Sequence, residues 1–388
     1  MIEKVRLGEL CRIQGGYAFK SNQFQKNNIP IIRIGNIQEN KVLIDNDICY
    51  TKEFLNSHPE FEIKNGDLLI AMSGATVGKV GIYSSKESAL LNQRVGKFVI
   101  TDKIESRYLY FLLLSPLFEK FILNNAFGCA QPNISNKQIE KFRFYKYSIE
   151  KQREIANKLD KVQEIIGLRK KQKEELDKLI KLQFVEMFGT IYDNKNNYKI
   201  KQLKEVFSII KDGTHSTPTY TEDKINGIKF LSAKDVASGT INWNNIKYIP
   251  ADLHNELSKR VKPQKNDILL AKNGTTGICA KVDKDEVFDI YVSLALLRAN
   301  EGYSIDYLVQ AINNDMTKEQ FDRSLKGVGV PNLHLGEIEK TKIIVPPIEL
   351  QNQFAEIVKQ INKQKFIIEK TLKETEELQE SLMNKYFN

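Results

Sequence analysis

Residues 66–81 read GDLLIAMSGATVGKVG. A short apolar run enters a glycine-rich loop that carries a lysine. Such a loop suggests phosphate binding, which needs Gly, four residues, then Gly-Lys-Ser/Thr, so that backbone amides wrap the phosphates and a hydroxyl meets magnesium. Here three residues separate Gly74 from Gly78, and Val80, which ligates no magnesium, follows Lys79. The better reading is a buried strand ending in a tight turn.

The stretch has an echo. Residues 266–281 read NDILLAKNGTTGICAK, so Asp67, Leu69, Ala71, Gly74 and Thr76 recur as Asp267, Leu269, Ala271, Gly274 and Thr276, displaced by 200. The lysine does not recur, and Ile278 and Cys279 stand nearby. QPNISNKQIEKFRFYKYSIEKQREIANKL (131–159) pairs with VPNLHLGEIEKTKIIVPPIELQNQFAEIV (330–358) at a displacement of 199. Pro132, Asn133, Ile139, Glu140, Lys141, Ile149, Glu150, Gln152 and Ala156 have identical counterparts there. IPIIRIGNIQEN (29–40) and IKFLSAKDVASG (228–239) agree in pattern at the same displacement. Near-constant displacement over these three stretches indicates duplication, and the period is too long for a solenoid.

Each copy opens with about 150 residues of mixed pattern. IPIIRIGNI, DLLIAM, GKFVI, GIKFL and DILLAK are strand-length and β-rich. Residues 106–125 have helical spacing, which Pro116 should interrupt. Ser135 followed by Gln138 reads as a capping box, weaker at His334 and Glu337. Each copy then ends in a long charged helix, 150–188 stopped by Gly189 and 349–386. Ile155, Leu159, Val162 and Ile166 form one stripe; Phe354, Ile357, Ile361, Ile368, Leu372 and Leu382 form the other. Glu174–Lys178 and Asp177–Lys181 have the spacing of supporting ion pairs. Each helix would be roughly 55 Å long and would pair with its duplicate as a two-helix coiled coil. The expected fold class is α+β (mixed α/β).

The 388 residues are 41% hydrophobic and 28% charged, which suits a globular chain. No apolar run reaches membrane-span length and no leader-like apolar core opens the chain, so a cytoplasmic location is expected. Cys11, Cys49, Cys129 and Cys279 form no CxxC pair, and the four histidines do not cluster with them; free thiols are expected. The net charge of +9 favours polyanions without specifying one.

Converging catalytic residues are missing from the sequence. There is no Asn/Asp-Pro-Pro-aromatic loop for adenine methylation, no GxGxxG and no HExxH. PEFEIK (59–64) sets its acids too close for a PD-(D/E)xK nuclease. His215 has no partner identifiable from sequence and reads as a hydrogen-bonded loop residue. The polar loops are richer. QGGYAFKSNQF (14–24) and KDGTHSTPTY (211–220) occupy corresponding places with different chemistry. Arg33, Asn36, Gln93 and Arg94 can make bidentate contacts with base edges; each alone is better explained as a solvated surface residue, and only together do they suit a reader of DNA.

These pieces resemble the specificity subunit of type I restriction–modification systems. The motifs are GGYAFKSNQF (15–24), SGATVGKVG (73–81) with LLNQRV (90–95), and IEKQREIANKL (149–159) in the first half. DGTHSTPTY (212–220), AKNGTTG (271–277) and VPPIELQNQFAEIV (345–358) carry it in the second. One departure is YKYSIEKQ, which replaces the Pro-Pro form in the first copy. The resemblance implies target recognition domains at 1–148 and 190–346, the latter with a linker at 190–200, and spacer helices at 149–189 and 347–388. It implies an antiparallel coiled coil, pseudo-two-fold symmetry and a non-catalytic reader of double-stranded DNA. Partners would be two adenine-N6 methyltransferase subunits and ATP-driven restriction subunits, which would hold AdoMet, ATP and Mg2+; this chain would hold no cofactor and contact no membrane. Candidate DNA contacts are Lys20, Ser21, Asn22, Arg33, Asn36, Ser73, Thr76, Lys79, Gln93 and Arg94 in the first copy. In the second they are Thr214, His215, Ser216, Thr217, Lys229, Ser232, Lys234, Lys272, Asn273 and Thr275. A stand-alone methyltransferase or nuclease with degenerate motifs, or a scaffold indifferent to DNA, are the competing readings.

Overall fold

The computed structural model describes residues 3–38, 40–126, 132–194, 196–325 and 331–388. Cys129 and the first residue of each Pro-Asn repeat, Gln131 and Val330, lie outside them. The chain forms two compact units: Met1–Lys170 with Lys370–Asn388, and Lys171–Glu369.

The two apolar runs are the central strands. Leu68–Ala71 and Ile268–Ala271 are buried along their whole length. Side chains alternate across a strand. Leu68 and Ile70 therefore enter the core beneath the helices, while Leu69 and Ala71 enter a second apolar layer on the opposite face. Ile268 and Leu270, against Leu269 and Ala271, divide the same way in the second unit. Burial on both faces explains a continuous apolar run instead of an alternating one.

In the first unit the sheet runs Cys11–Gly15, Val95–Ile100, Leu68–Ala71, Val80–Ile82, Lys41–Val42, Ile37–Gln38. In the second it runs Phe207–Asp212, Leu294–Ala299, Ile268–Ala271, Cys279–Lys281. The registers correspond: Leu68 faces Ile82, and Ile268 faces Lys281. A second sheet in each unit holds the parallel pairs Ile29–Ile32 with Ala89–Leu91, and Ile228–Leu231 with Phe288–Ile290.

The glycine loops are hairpin turns. Gly74 and Gly78 have φ 73° and 83°, and Gly274 and Gly277 have 75° and 83°, values that favour glycine. The second turn is one residue shorter, which moves the displacement from 200 to 199. Ser208 accounts for another change. It is a β-bulge residue between Phe207, opposite Ala299, and Ile209, opposite Arg298; Cys11 and Arg12 face Ile100 and Val99 without one.

Pro116 interrupts the helical stretch as expected, giving Ser106–Leu113 and Pro116–Ala126. The capping box at Ser135 and Gln138 forms, with the Ser135 amide donating to Gln138 Oε1 at 2.9 Å; His334 makes no side-chain cap. The long helices are Ile149–Phe188, ended by Gly189 at φ 72°, and Ile348–Phe387. Two buried glutamines fix their starts. Gln152 accepts from the Glu105 amide at 2.9 Å and donates to the Tyr147 carbonyl at 2.8 Å. Gln351 accepts from the Ser304 amide at 3.0 Å and donates to the Pro346 carbonyl at 2.9 Å. A backbone carbonyl serves in both, so replacing Pro-Pro by Tyr147–Ser148 leaves this turn intact.

Within each unit a part of one long helix lies antiparallel to a part of the other. In the first unit Ile155 and Leu159 share a core with Met383 and Phe387, and Lys170 pairs with Glu376 at 3.0 Å. In the second, Ile180, Phe184 and Phe188 share one with Phe354, Val358 and Ile361, and Lys173 pairs with Glu369 at 2.7 Å. The expected Asp177–Lys181 pair is replaced. Asp177 meets Lys365 of the other helix, and Lys181 meets Asp315 at 2.6 Å. Tertiary packing brings these partners within reach, and an i,i+4 pair worth a few tenths of a kcal/mol does not hold against it.

Candidate nucleic-acid interface

In each unit the polar loop after the first sheet strand is pinned by a glycine and one backbone bridge. A Cβ on Gly16 would overlap the carbonyls of Leu91 and Asn92, and one on Gly213 would overlap that of Ile290. Only glycine permits this approach. Tyr17 then takes a hydrogen bond from the Gln93 amide at 2.9 Å, and Thr214 takes one from the Val292 amide at 2.9 Å. The two loops therefore hold equivalent places, and their side chains differ.

In the first unit the pinning carries Lys20, Ser21 and Asn22 out on an exposed 3-10 turn, Ser21–Gln23. Gln93 and Arg94 are exposed on the strand connection that the loop grips. They line a cleft of about 500 Å³ with Met72, Asn133, Ile134, Ser135, Asn136 and Lys137. Ser73, beside it, is buried and bridged to Asn133. Thr76 has its hydroxyl buried and, among the described residues, unpartnered. Lys79 ends the turn, exposed. Arg33 is exposed, whereas Asn36 is engaged internally: Oδ1 accepts from the Arg33 amide and Nδ2 donates to the Leu43 carbonyl, both at 2.9 Å. Asn36 thus closes its own turn and is already committed at both Oδ1 and Nδ2.

In the second unit Thr214, His215 and Ser216 line a cleft of about 410 Å³ with Glu256, Leu257, Arg260, Val261, Asp289 and Ile290. Thr217 is exposed next to them, as are Lys234 and Thr275 elsewhere in the unit. Ser232 donates to Asp235 at 3.0 Å within a turn. Asn273 is bridged to Asn332, and its Oδ1 is buried and unpartnered among the described residues. Lys229 is partly buried and paired with Glu286. Lys272 is a correction to the surface set: it is buried, its Nζ 2.7 Å from Asp212 Oδ2. The equivalent place in the first unit holds Met72, so the position belongs to the core and a charge there requires an internal counter-ion.

His215 does have a partner, Asp212 at 3.2 Å, which sequence spacing could not identify. Burial raises the Asp212 carboxyl, but hydrogen bonds from Lys272 and Arg260 with the charges of Lys272 and His215 outweigh it and leave it below its ordinary value. Asp289 behaves oppositely. Burial pushes it up, and the hydrogen bond from His254 at 2.7 Å offsets only part of that. Arg260, Asp212, Lys137 and Asn136 were not among the sequence candidates. Asp212 lay inside a quoted motif; Arg260 follows a short helix, Ala251–Leu257, without any signal in the repeat.

Chemically the clefts offer cations, amides and hydroxyls, and the second adds the carboxylates of Glu256 and Asp289. Among the described residues no three His, Cys, Asp or Glu side chains gather as a metal site, and no helix is long and apolar enough to cross a membrane. Cys11, Cys49 and Cys279 are free and buried.

A family model described as "Type I restriction modification DNA specificity domain" matches residues 2–178 and 195–378. The type I restriction enzyme EcoBI specificity subunit of Escherichia coli is 24% identical over 388 aligned residues, covering 92% of this chain and 78% of that one. The MjaVIII specificity subunit of Methanocaldococcus jannaschii is 30% identical over 181 residues, 45% of this chain and 43% of the relative. Among solved structures, the S subunit of a type I restriction-modification system from M. genitalium has a TM-score of 0.55 at 15% identity, covering 100% of this chain and 96% of that one. A second, from work on complex assembly of the type I R-M system, has a TM-score of 0.60 at 17% identity, covering 100% and 97%. These two likenesses concern the fold.

Proposed function

We propose that this chain, which belongs to the type I restriction modification DNA specificity domain family, is the DNA-sequence specificity subunit of a type I restriction–modification complex and reads a bipartite target. The observation that carries the reading is a duplicated frame with unlike polar loops. Gly16 with Tyr17, and Gly213 with Thr214, hold the two loops at equivalent places, while GGYAFKSNQF and DGTHSTPTY present different hydrogen-bonding groups. A constant frame with variable loops suits two half-sites of different sequence. Exposed lysines would hold phosphates and set position; loop and cleft side chains would specify bases.

The recognition domains are 1–148 and 190–346, with spacer helices at 149–189 and 347–388. The chain itself catalyses nothing. It recruits two adenine-N6 methyltransferase subunits, and restriction subunits in the full enzyme. AdoMet, ATP and Mg2+ belong to those partners, and the work is done in the cytoplasm, where the DNA lies.

The test replaces residues 196–346 by the recognition domain of another family member. The assembled complex is then read by methylation-sensitive sequencing. One half-site should change and the other persist. A change of both half-sites together, or methyl transfer by the pure chain without partners, contradicts the reading.

A further inference from the structure

The second unit carries a charged cluster for which the first has only Gly15 and Met72. Gly15 stands opposite Gly96 in its sheet and Asp212 stands opposite Ala295, at the same register. The Met72 amide donates to the Arg94 carbonyl at 2.9 Å, and that of Lys272 to the Ser293 carbonyl at 2.8 Å. Asp212 and Lys272 are 4% and 5% exposed, so the pair that replaces Gly and Met is buried. Burying two charges costs desolvation that their attraction often does not repay, so stability alone does not account for them.

Arg260 is what the cluster holds at the surface. Its Nη2 lies 2.5 Å from Asp212 Oδ1 and its Nε 3.3 Å from the Asp212 carbonyl, yet its side chain remains 53% exposed. Asp212 thus fixes one edge of the guanidinium. Nη1 and one hydrogen of Nη2 make no hydrogen bond among the described residues. Thr214, His215, Ser216 and Glu256 line the same cleft.

We infer that Arg260 reads a guanine in the half-site of the second unit, and that Asp212 is its positioning residue; this rests on the DNA-recognition reading above. A guanidinium presents two parallel donors that match O6 and N7 of guanine. Holding its other edge on a buried carboxylate removes rotamer freedom before binding, which lowers the entropy lost on contact. The neighbours favour a base pair over a phosphate. Glu256 is an exposed carboxylate in the same cleft. It would repel a phosphate, but it can accept from the cytosine amino group of the same G·C pair.

The experiment uses the full complex with its methyltransferase partners, wild-type or carrying Arg260→Ala. Binding is titrated on duplexes with every base varied at each half-site position, at several salt concentrations. The preference for guanine at one position of one half-site should fall about ten- to a hundredfold. The other half-site and the salt dependence should not move. Asp212→Gly combined with Lys272→Met, which installs the residues of the first unit, should relax that same position. Arg260→Gln should shift the preference towards adenine, and it decides the matter if the alanine variant fails to assemble. Uniform weakening on all sequences, with a salt slope smaller by about one, would mean a phosphate contact and overturn the inference. An unchanged preference in a folded variant overturns it too. Loss of all sequence preference by the wild-type complex would instead remove the reading of the chain as a specificity subunit.

Discussion

Asp212 and Lys272 show how one position can change its physics between two copies of one frame. Lys272 is buried and relies on Asp212, which also holds Arg260 and His215. Asp212→Gly alone strands the ammonium and should cost about 3–5 kcal/mol. Lys272→Met added to it should recover most of that loss, because the first unit already folds with Gly and Met at these places. Urea titrations of the single and double variants check this; equal destabilisation would show that the pair is not coupled. The sign of the acid dependence is set by the lowered Asp212 carboxyl. Its contribution is complete above the unfolded carboxyl value of 3.8 and is lost as pH falls through the lower folded value. The double variant should lack that part of the acid sensitivity.

Among the elements, the long helices contribute packing beyond their own hydrogen bonds. Phe387, at the end of Ile348–Phe387, is 4% exposed and packs 5.2 Å from the ring of Tyr108 in the core of the first unit. Residues far apart in sequence thereby complete one core. Phe387→Ala should destabilise that unit by about 3 kcal/mol, the lower part of the range for a buried Phe. Hydrogen exchange resolved by peptide should show weaker protection over Ser106–Leu113 and Pro116–Ala126. Protection over Ile305–Asn313 should be unchanged. Equal loss in both regions would mean that the two units unfold together.

For the whole molecule, the proposed role of Ile149–Phe188 is a ruler between the two recognition domains. Four residues inserted after Lys171 add about 6 Å at 1.5 Å per residue. They rotate the remainder of the helix by about one helical turn, which nearly preserves the apolar stripe. At about 3.4 Å per base pair, the unread spacer of the DNA target should change by one or two base pairs. The half-site sequences should persist, since their loops are untouched. The methylation motif of the variant complex is the measurement, and an unchanged spacer in an active variant would refute the ruler.

The sequence by itself determined the duplication, the buried central strands, the helix ends and the place of the variable loops. These signals are local. Leu68–Ala71 is apolar throughout because both its faces are covered, Gly189 stops a helix because it adopts a positive φ, and Ser135 caps because Gln138 is three residues on. The repeat also marked Gln152 and Gln351, though not the carbonyls they hold. Tertiary structure alone decided which polar residues reach solvent. Lys272 and Lys229 read as free cations in one dimension, and Asn36 as a free amide. Their partners, Asp212, Glu286 and the backbone of Arg33 and Leu43, come from the folded chain. Arg260 went unnoticed for the converse reason. It stands 48 residues from Asp212, and no sequence period records a charge pair made between a strand end and a helix end. Periodicity records which face of an element is buried, whereas an ion pair depends on where two elements meet.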